Sequence, residues 1–298
     1  MKKALSILSA IAAVAISVGC SVSEIEDSSD SRFVKKAFTF EASLSESSTK
    51  TGTTLNDDGT FSSIYWSPND QINVFFTAGA TVNSGCFTNK SETESITASF
   101  SGVLEVFTGT NEALVDEQMF WAIYPYSKDN TCNGSAISFT VPANQSSPAG
   151  TFAIGQWPTM ARSNGFNLIF YGVCSGIKFK VLNEGVTSVT FANRNGNAIN
   201  GTITAGWDDE DKPEITGIEG GSDQIVVTPQ DSPTFEVGQI YFAVLPVLTM
   251  DQGIEVTYRT ANSSCTYIND SSISFSRNTF NTLYDKDIEY EVEDTVFN

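Results

Sequence analysis

The chain contains no histidine among its 298 residues. This absence excludes Ser-His-Asp and Cys-His catalysis, zinc sites with histidine ligands and histidine-based pH switches. The sequence also lacks a phosphate-binding glycine loop, a G-x-S-x-G elbow and a zinc motif. A glycoside hydrolase needs only two carboxylates, but nothing singles out a pair among the 35 acidic residues. We therefore expect a protein that is not an enzyme and uses no metal or cofactor.

Cysteine is scarce, with five residues in the chain. None of them has C-x-x-C spacing, which disfavours a thioredoxin-like motif or a zinc knot. In an exported protein, Cys86, Cys132, Cys174 and Cys265 could form two disulfides in any of three pairings. Cys174 lies inside the apolar run 166–182, where a small buried thiol is favoured. The sequence leaves the disulfide state open.

The N-terminus has the pattern of a secretory signal. Two lysines follow Met1, residues 4–18 are largely apolar, and Gly19-Cys20 comes next. The apolar run is shorter than the about 20 residues that a membrane-spanning helix needs. A small residue before a cysteine resembles a bacterial lipoprotein signal, in which residues 1–19 are removed and Cys20 is acylated. An ordinary cleaved signal with an incidental cysteine is the alternative.

Basic residues are few: 16 against 35 acidic ones, for a net charge of −19. Such a chain repels nucleic acid, so we expect no nucleic-acid partner. Residues 20–32 are acidic and serine-rich, and they predict a disordered tether between lipid and fold. Residues 208–211 (DDED) lack the spaced geometry of a calcium loop, and a solvated hairpin tip is favoured.

After the tether, apolar residues alternate with polar ones, which is typical of half-buried strands. Many short strands separated by turn residues predict an all-β fold of β-sandwich type. Two halves of similar length predict two domains, 33–163 and 164–298, with the boundary near Ser163. In the first strand, one face carries Phe38, Phe40, Ala42 and Leu44.

The positions of turn-forming proline, glycine and asparagine residues give further local predictions. The turn 67–70 (SPND) predicts a tight hairpin between strands at 61–66 and 71–77. Residues 142–160 predict a loop or interdomain connection, and 111–118 predict a short helix. Gly172 interrupts an alternating segment and predicts a bulge that changes the side facing the core.

Several segments resemble the fimbrillin-like surface lipoproteins of Bacteroidetes, a family that includes type V pilins and minor fimbrial subunits. Residues 66–74 (WSPNDQINV) resemble the family's W-x-x-G-D-x-I-x-V signature, with Asn69 in place of the glycine. The other segments, in family order, are 120–125 (FWAIYP), 167–179 (NLIFYGVCSGIKF), 186–191 (VTSVTF), 199–201 (ING) and 241–246 (YFAVLP). The resemblance implies two tandem Greek-key, transthyretin-like β-sandwich domains.

The resemblance also implies a route of assembly. Family members reach the outer membrane and cell surface as lipoproteins, here through acylated Cys20. In polymerising members, a protease that cuts after Arg or Lys removes the first strand, and a strand from the next subunit fills the groove. In this chain Lys50 follows the strand, so cutting there would remove it, whereas cutting at Arg32 would free only the lipid. Both residues could equally be ordinary exposed bases. The inward residues of the removable strand are Phe38, Phe40, Ala42 and Leu44.

The resemblance therefore implies a structural subunit, tip or accessory component of an adhesive fimbria, with other pilin subunits as partners. Few residues follow the last predicted strand, which favours a tip, accessory or stand-alone protein over a shaft subunit. Thr295 lies in a D-T-V sequence that resembles an O-glycosylation site of this phylum, a match that chance also explains.

A stand-alone, glycan-binding outer-membrane lipoprotein is the alternative function, with a host or glycan ligand. Trp157 and Trp207 lie beside turn-like residues, so we expect them to be exposed and able to stack on sugars. Trp66 and Trp121 lie inside apolar strand patterns, so we expect them in the core.

Overall fold

The structure is a computed structural model that describes residues 24–25, 33–45, 53–55, 61–78, 81–107 and 119–283. Those residues form 24 β-strands and no helix, which confirms the all-β, sandwich-type prediction. In the same ranges there is no helix of the length and apolarity needed to span a membrane. The predicted signal peptide, most of the tether and the predicted helix at 111–118 lie outside the described residues.

Thirteen strands make up the first part of the chain. They are β1 (Glu24–Ile25), β2 (Phe33–Leu44), β3 (Thr53–Leu55), β4 (Phe61–Ile64), β5 (Gln71–Ala78), β6 (Thr81–Asn89), β7 (Thr97–Phe107), β8 (Phe120–Tyr124), β9 (Thr131–Cys132), β10 (Ile137–Val141), β11 (Asn144–Ser147), β12 (Thr159–Ser163) and β13 (Asn167–Gly172).

Eleven strands follow. They are β14 (Ser175–Lys180), β15 (Ser188–Asn193), β16 (Gly201–Trp207), β17 (Pro213–Glu219), β18 (Gln224–Pro229), β19 (Ile240–Leu245), β20 (Leu248–Met250), β21 (Ile254–Arg259), β22 (Ser264–Asn269), β23 (Ile273–Phe275) and β24 (Phe280–Thr282).

The largest sheet has the strand order β1-β2-β13-β12-β8-β5-β6-β7. β2 also pairs with β7. The seven strands β2, β13, β12, β8, β5, β6 and β7 therefore form a closed ring of hydrogen-bonded neighbours. An aromatic core fills the ring, with Trp66, Phe40, Phe87 and Phe120 among its buried members. Closure leaves β2 with strand partners on both sides rather than at a free edge.

The remaining strands form smaller sheets around two further cores. Their orders are β17-β16-β10-β9, β11-β18-β15-β21-β22, β19-β14-β24, β20-β23 and β3-β4. One core includes Phe179, Phe191 and Tyr241. The other includes Trp121 and Trp157. All five residues of β8 are buried, because Phe120 packs in the ring core and Trp121 packs in the third core.

Hydrogen bonding runs across the boundary predicted near Ser163. Ser163 itself ends β12 and pairs with Phe120, and β13, which follows it, pairs with β2 and β12. In the other direction, β10 pairs with β16, and β11 pairs in parallel with β18. The strand pairing therefore does not separate the chain into 33–163 and 164–298.

The turn at 67–70 forms, but the predicted hairpin around it does not. Asn69 takes the left-handed φ of +66° that the turn requires. However, β4 pairs with β3, and β5 pairs with β6 and β8. Trp66, which lies between the two strands in sequence, is fully buried and packs edge-on against Phe100 and Phe170, at centroid distances of 4.9 and 5.1 Å, and its backbone bridges to Ser95 rather than to β5.

Two other local predictions fare differently. The buried positions of β13 are even, residues 172–177 are all buried, and the buried positions from 177 to 181 are odd, which confirms the change of inward side. The cause is a passage from one sheet to another, not a bulge within one strand. Residues 142–160, predicted as a loop or interdomain connection, contain β11 and the start of β12, so the segment is not wholly a loop.

Candidate functional site

The first long strand, β2, lies between β7, which runs antiparallel to it, and β13, which runs parallel to it. Its eleven residues from Phe33 to Ser43 pair antiparallel with β7. On its other side, Glu41 to Leu44 pair in parallel with β13, and two residues further back pair with β1. Extensive main-chain pairing of this kind is what holds a strand in a sheet independently of its side chains.

The inward face of β2 packs into the aromatic core of the ring. Phe40 is fully buried and meets Phe87 and Phe120 edge-on, at ring-centroid distances of 5.3 and 4.9 Å. Phe38 and Ala42 are also buried, and Leu44 packs at the margin of the same core. The burial of each phenylalanine contributes about 1.5–3 kcal/mol.

The outward face of β2 carries polar contacts to β7. The hydroxyls of Thr39 and Ser101 are 3.0 Å apart. Ser99 donates a hydrogen bond to the carboxylate of Glu41 at 2.7 Å. These partners lie directly opposite in the strand register, so the two faces of β2 differ as the alternating sequence predicts.

The predicted processing and modification residues fall outside the described residues. They are Cys20, Arg32, Lys50 and Thr295. Their assignments as the lipidated residue, the candidate cleavage sites and the O-glycosylation site remain predictions.

The predicted sugar-stacking pair does not form an exposed platform. Trp157 is 1% exposed and packs against Phe152 and Phe280, at centroid distances of 5.0 and 5.1 Å, so the prediction of its exposure is wrong. Trp207 is half-buried, and the Arg162 guanidinium lies 5.1 Å from its ring centroid. Trp66 and Trp121 are buried as predicted.

The acidic segment 208–211 connects β16 to β17 as a hairpin tip, as predicted. The Asp208 carboxylate accepts hydrogen bonds from the N–H groups of Glu210 and Lys212, both at 2.9 Å. The bond from Lys212 is the main reason why the pKa of Asp208 lies below its usual value. Within the described ranges, no cluster of three or more Cys, Asp or Glu side chains could hold a metal ion.

No disulfide joins the four cysteines that the structure describes, Cys86, Cys132, Cys174 and Cys265. Cys174 is buried as the sequence predicts, and burial raises the pKa of its thiol. Burial also raises the thiol pKa of Cys86 and Cys132. A raised pKa lowers the thiolate fraction, so these three thiols are poor nucleophiles near neutral pH.

A buried acid near the Trp66 turn was not anticipated from sequence. Asp70 is 6% exposed, and its carboxylate accepts hydrogen bonds from the Ser67 N–H at 2.8 Å and the Tyr124 hydroxyl at 3.3 Å. The Tyr124 hydroxyl in turn accepts a bond from the Gly155 N–H at 3.1 Å. Burial raises the pKa of Asp70, and the two hydrogen bonds oppose that rise. The motif 66–74 marks the turn, but not the distant tyrosine.

Comparisons with known proteins give similarities to solved structures at low sequence identity and with TM-scores below 0.5. No protein-family model matches the chain, and no curated protein sequence matches it. A proposed cell adhesion protein of Bacteroides ovatus has a TM-score of 0.45 and 12% identity, covering 87% of this chain and 98% of that one. A fimbrial protein of Bacteroides ovatus has a TM-score of 0.38 and 14% identity, covering 82% of this chain and 48% of that one. A proposed cell adhesion protein of Bacteroides thetaiotaomicron has a TM-score of 0.38 and 12% identity, covering 83% of this chain and 92% of that one.

Proposed function

We propose that the chain is a structural component of an adhesive cell-surface fimbria, as a subunit or as a tip or accessory protein. It is made as a precursor that acylated Cys20 anchors in the outer membrane. The observation that carries the proposal is the position of β2, a strand near the N-terminus that fills a slot between β7 and β13. The sequence resemblance of residues 66–74 and 120–125 to fimbrillin-like proteins supports the same function.

The position of β2, paired with β7 on one side and with β13 on the other, is compatible with assembly by strand exchange. Without β2, the backbone groups of β7 and β13 that pair with it would lose their partners. The core around Phe87 and Phe120 would lose the Phe40 ring. A strand from a second copy would restore both, because its main chain supplies affinity and its alternate side chains refill the pockets. Cleavage after Lys50 is the step that would release β2.

The proposal is tested by the intact mass and N-terminal residue of the protein from washed outer membranes and from sheared filaments. We expect an acylated chain starting at Cys20 in membranes and a chain starting at Thr51 in filaments. The Lys50→Ala variant should remain full-length and be absent from the filaments. Arg32→Ala is the matched control, and it should assemble like the wild type.

Two outcomes would overturn parts of the proposal. Filaments built from a chain that retains residues 33–44 would exclude exchange of β2 while keeping a fimbrial role. A chain found only as the acylated form in membranes, with none in the sheared fraction, would exclude the fimbrial role and favour a stand-alone surface lipoprotein.

A further inference from the structure

A cleft of about 140 Å³ lies where three parts of the fold meet. One wall comes from the end of β8 and the turn that follows it, including Pro125 and Asn130. A second wall comes from β10, with Phe139 and Thr140, and the third comes from the segment before β12, with Gln156. None of these residues belongs to β2, so the cleft is independent of strand exchange.

The cleft carries no charge, in contrast to the rest of the molecule. The protein has 35 acidic and 16 basic residues, yet none of the eleven described residues that line the cleft is acidic or basic. The lining combines apolar surface, including Pro125, Phe139 and Pro158, with amide and hydroxyl groups. Ligand sites commonly combine a mostly apolar wall with a few fixed polar groups. A neutral ligand with both apolar and hydroxyl surface suits this composition.

The Asn130 side chain presents a fixed hydrogen-bond acceptor. Asn130 is 9% exposed, and its Nδ2 atom donates to Asn73 Oδ1 at 2.8 Å and to the Pro125 carbonyl at 2.9 Å. A carbonyl only accepts, so these bonds determine which amide atom is nitrogen. Asn73 is itself held by two bonds to the backbone of Ser127, both of 3.0 Å. Asn130 Oδ1 is therefore held in place, and no described group donates to it.

Two more polar groups on the lining retain hydrogen-bonding capacity. Gln156 Nε2 donates one hydrogen to Gln145 Oε1 at 2.8 Å, and an amide nitrogen carries a second one. Gln156 Oε1 accepts from the Ala153 N–H at 3.1 Å, so both ends of its amide are held. Thr140 is exposed on β10, and its hydroxyl can donate and accept. An acceptor, a donor and a hydroxyl thus line one uncharged cleft.

We propose that this cleft binds a neutral polyhydroxy ligand, a single sugar unit, at the junction of β8, β10 and the segment before β12. Sugar hydroxyl groups would bond Asn130, Thr140 and Gln156, and the apolar C–H face of the ring would pack on the proline and phenylalanine surface. Because the Asn130 and Gln156 amides are already held by the protein, binding requires little reorganisation of these two groups. This site differs from the predicted Trp157 and Trp207 platform.

The test is saturation-transfer-difference NMR on the chain that starts at Cys20 and has not been cleaved after Lys50. The probes are glucose, galactose, mannose, fucose and N-acetylglucosamine, with glucuronate and glucosamine as charged counterparts. We expect at least one neutral sugar to bind with a Kd of about 1 mM, and the charged sugars to bind at least about tenfold more weakly, since no lining residue can pair with their charge.

Matched variants locate the binding. Thr140 and Thr202 lie opposite each other in the register of β10 and β16, and both are exposed, but only Thr140 lines the cleft. Thr140→Trp fills the cleft and should weaken binding at least about tenfold, whereas Thr202→Trp should leave it unchanged. Thr140→Val, which removes only the hydroxyl, replaces Thr140→Trp if thermal unfolding shows that the latter is misfolded, and should weaken binding about threefold or more.

Three results would overturn the inference: no saturation transfer to any neutral sugar, equal binding of the charged counterparts, or equal effects of the substitutions at 140 and 202. None of them depends on whether β2 is removed, so failure here and failure of the fimbrial proposal are distinguishable.

Discussion

The side-chain amide of Gln145 bonds both backbone polar groups of Val244. Gln145 Nε2 donates to the Val244 carbonyl at 2.7 Å, and Gln145 Oε1 accepts from the Val244 N–H at 2.8 Å. Two residues further along β11, Ser147 Oγ accepts from the Phe242 N–H at 2.9 Å. The backbone of β11 meanwhile pairs with β18. Side chains of β11 therefore complete the edge of β19 and connect the five-stranded and three-stranded sheets.

We predict that Gln145→Leu destabilises the fold. The substitution leaves the buried N–H and carbonyl of Val244 without side-chain partners, and each buried unsatisfied group costs about 1–3 kcal/mol. A loss of at least about 2 kcal/mol in the free energy of unfolding is expected. Urea titration followed by tryptophan fluorescence measures it.

Ser146→Ala is the control for this prediction, because Ser146 is the exposed neighbour on the same strand. It should change the unfolding free energy by less than about 0.5 kcal/mol. If Gln145→Leu were as mild as Ser146→Ala, the bonds to Val244 would contribute nothing measurable.

The buried Asp70 predicts a specific pH dependence of stability. Burial raises its folded-state pKa above the unfolded value of 3.8. The stabilisation associated with the protonated form is therefore fully present below pH 3.8 and is lost as the pH rises through the folded pKa. Asp70→Asn has no charge to bury, so we expect wild-type stability to fall relative to this variant as pH rises from 3.5. Urea midpoints measured from about pH 3.5 to 8 give the difference.

The sign of that difference decides the interpretation. Asp129→Asn, on an exposed neighbouring turn, controls for the general loss of one negative charge. If the difference between wild type and Asp70→Asn instead grew in favour of wild type with rising pH, the hydrogen bonds from Ser67 and Tyr124 would outweigh burial.

Features encoded by neighbouring residues could be predicted from the sequence. The alternation at Phe38, Phe40 and Ala42 predicts the buried face of β2, because side chains on a strand point to opposite faces with period two. An asparagine at position 69 predicts a left-handed backbone conformation in the turn. Gly172 predicts a change in which side of the strand faces the core. Each of these depends on the conformational preferences of a few adjacent residues.

Features that depend on distant partners could not be predicted. Trp157 lies among turn-like residues, and its burial depends partly on a distant partner, because β24 brings Phe280 against its ring. The sequence places Gln145 in a predicted polar loop, yet its side chain bonds to Val244, 99 positions away. The cleft around Asn130 likewise draws its walls from three separate segments. Local pattern carries no information on which segments become neighbours.

A final prediction concerns Arg162, which lies over the Trp207 ring at 5.1 Å and forms an ion pair with Asp211. In Arg162→Ala the ring loses this cover, so its emission should shift to longer wavelength and acrylamide quenching should increase. The other three tryptophans are buried, so Trp207→Phe should abolish the difference. The stability cost should stay below about 1 kcal/mol, because both interactions are partly exposed. Arg194→Ala is the control, since Arg194 pairs with Asp270 in the same way, and an equal spectral change in both variants would contradict the assignment to Trp207.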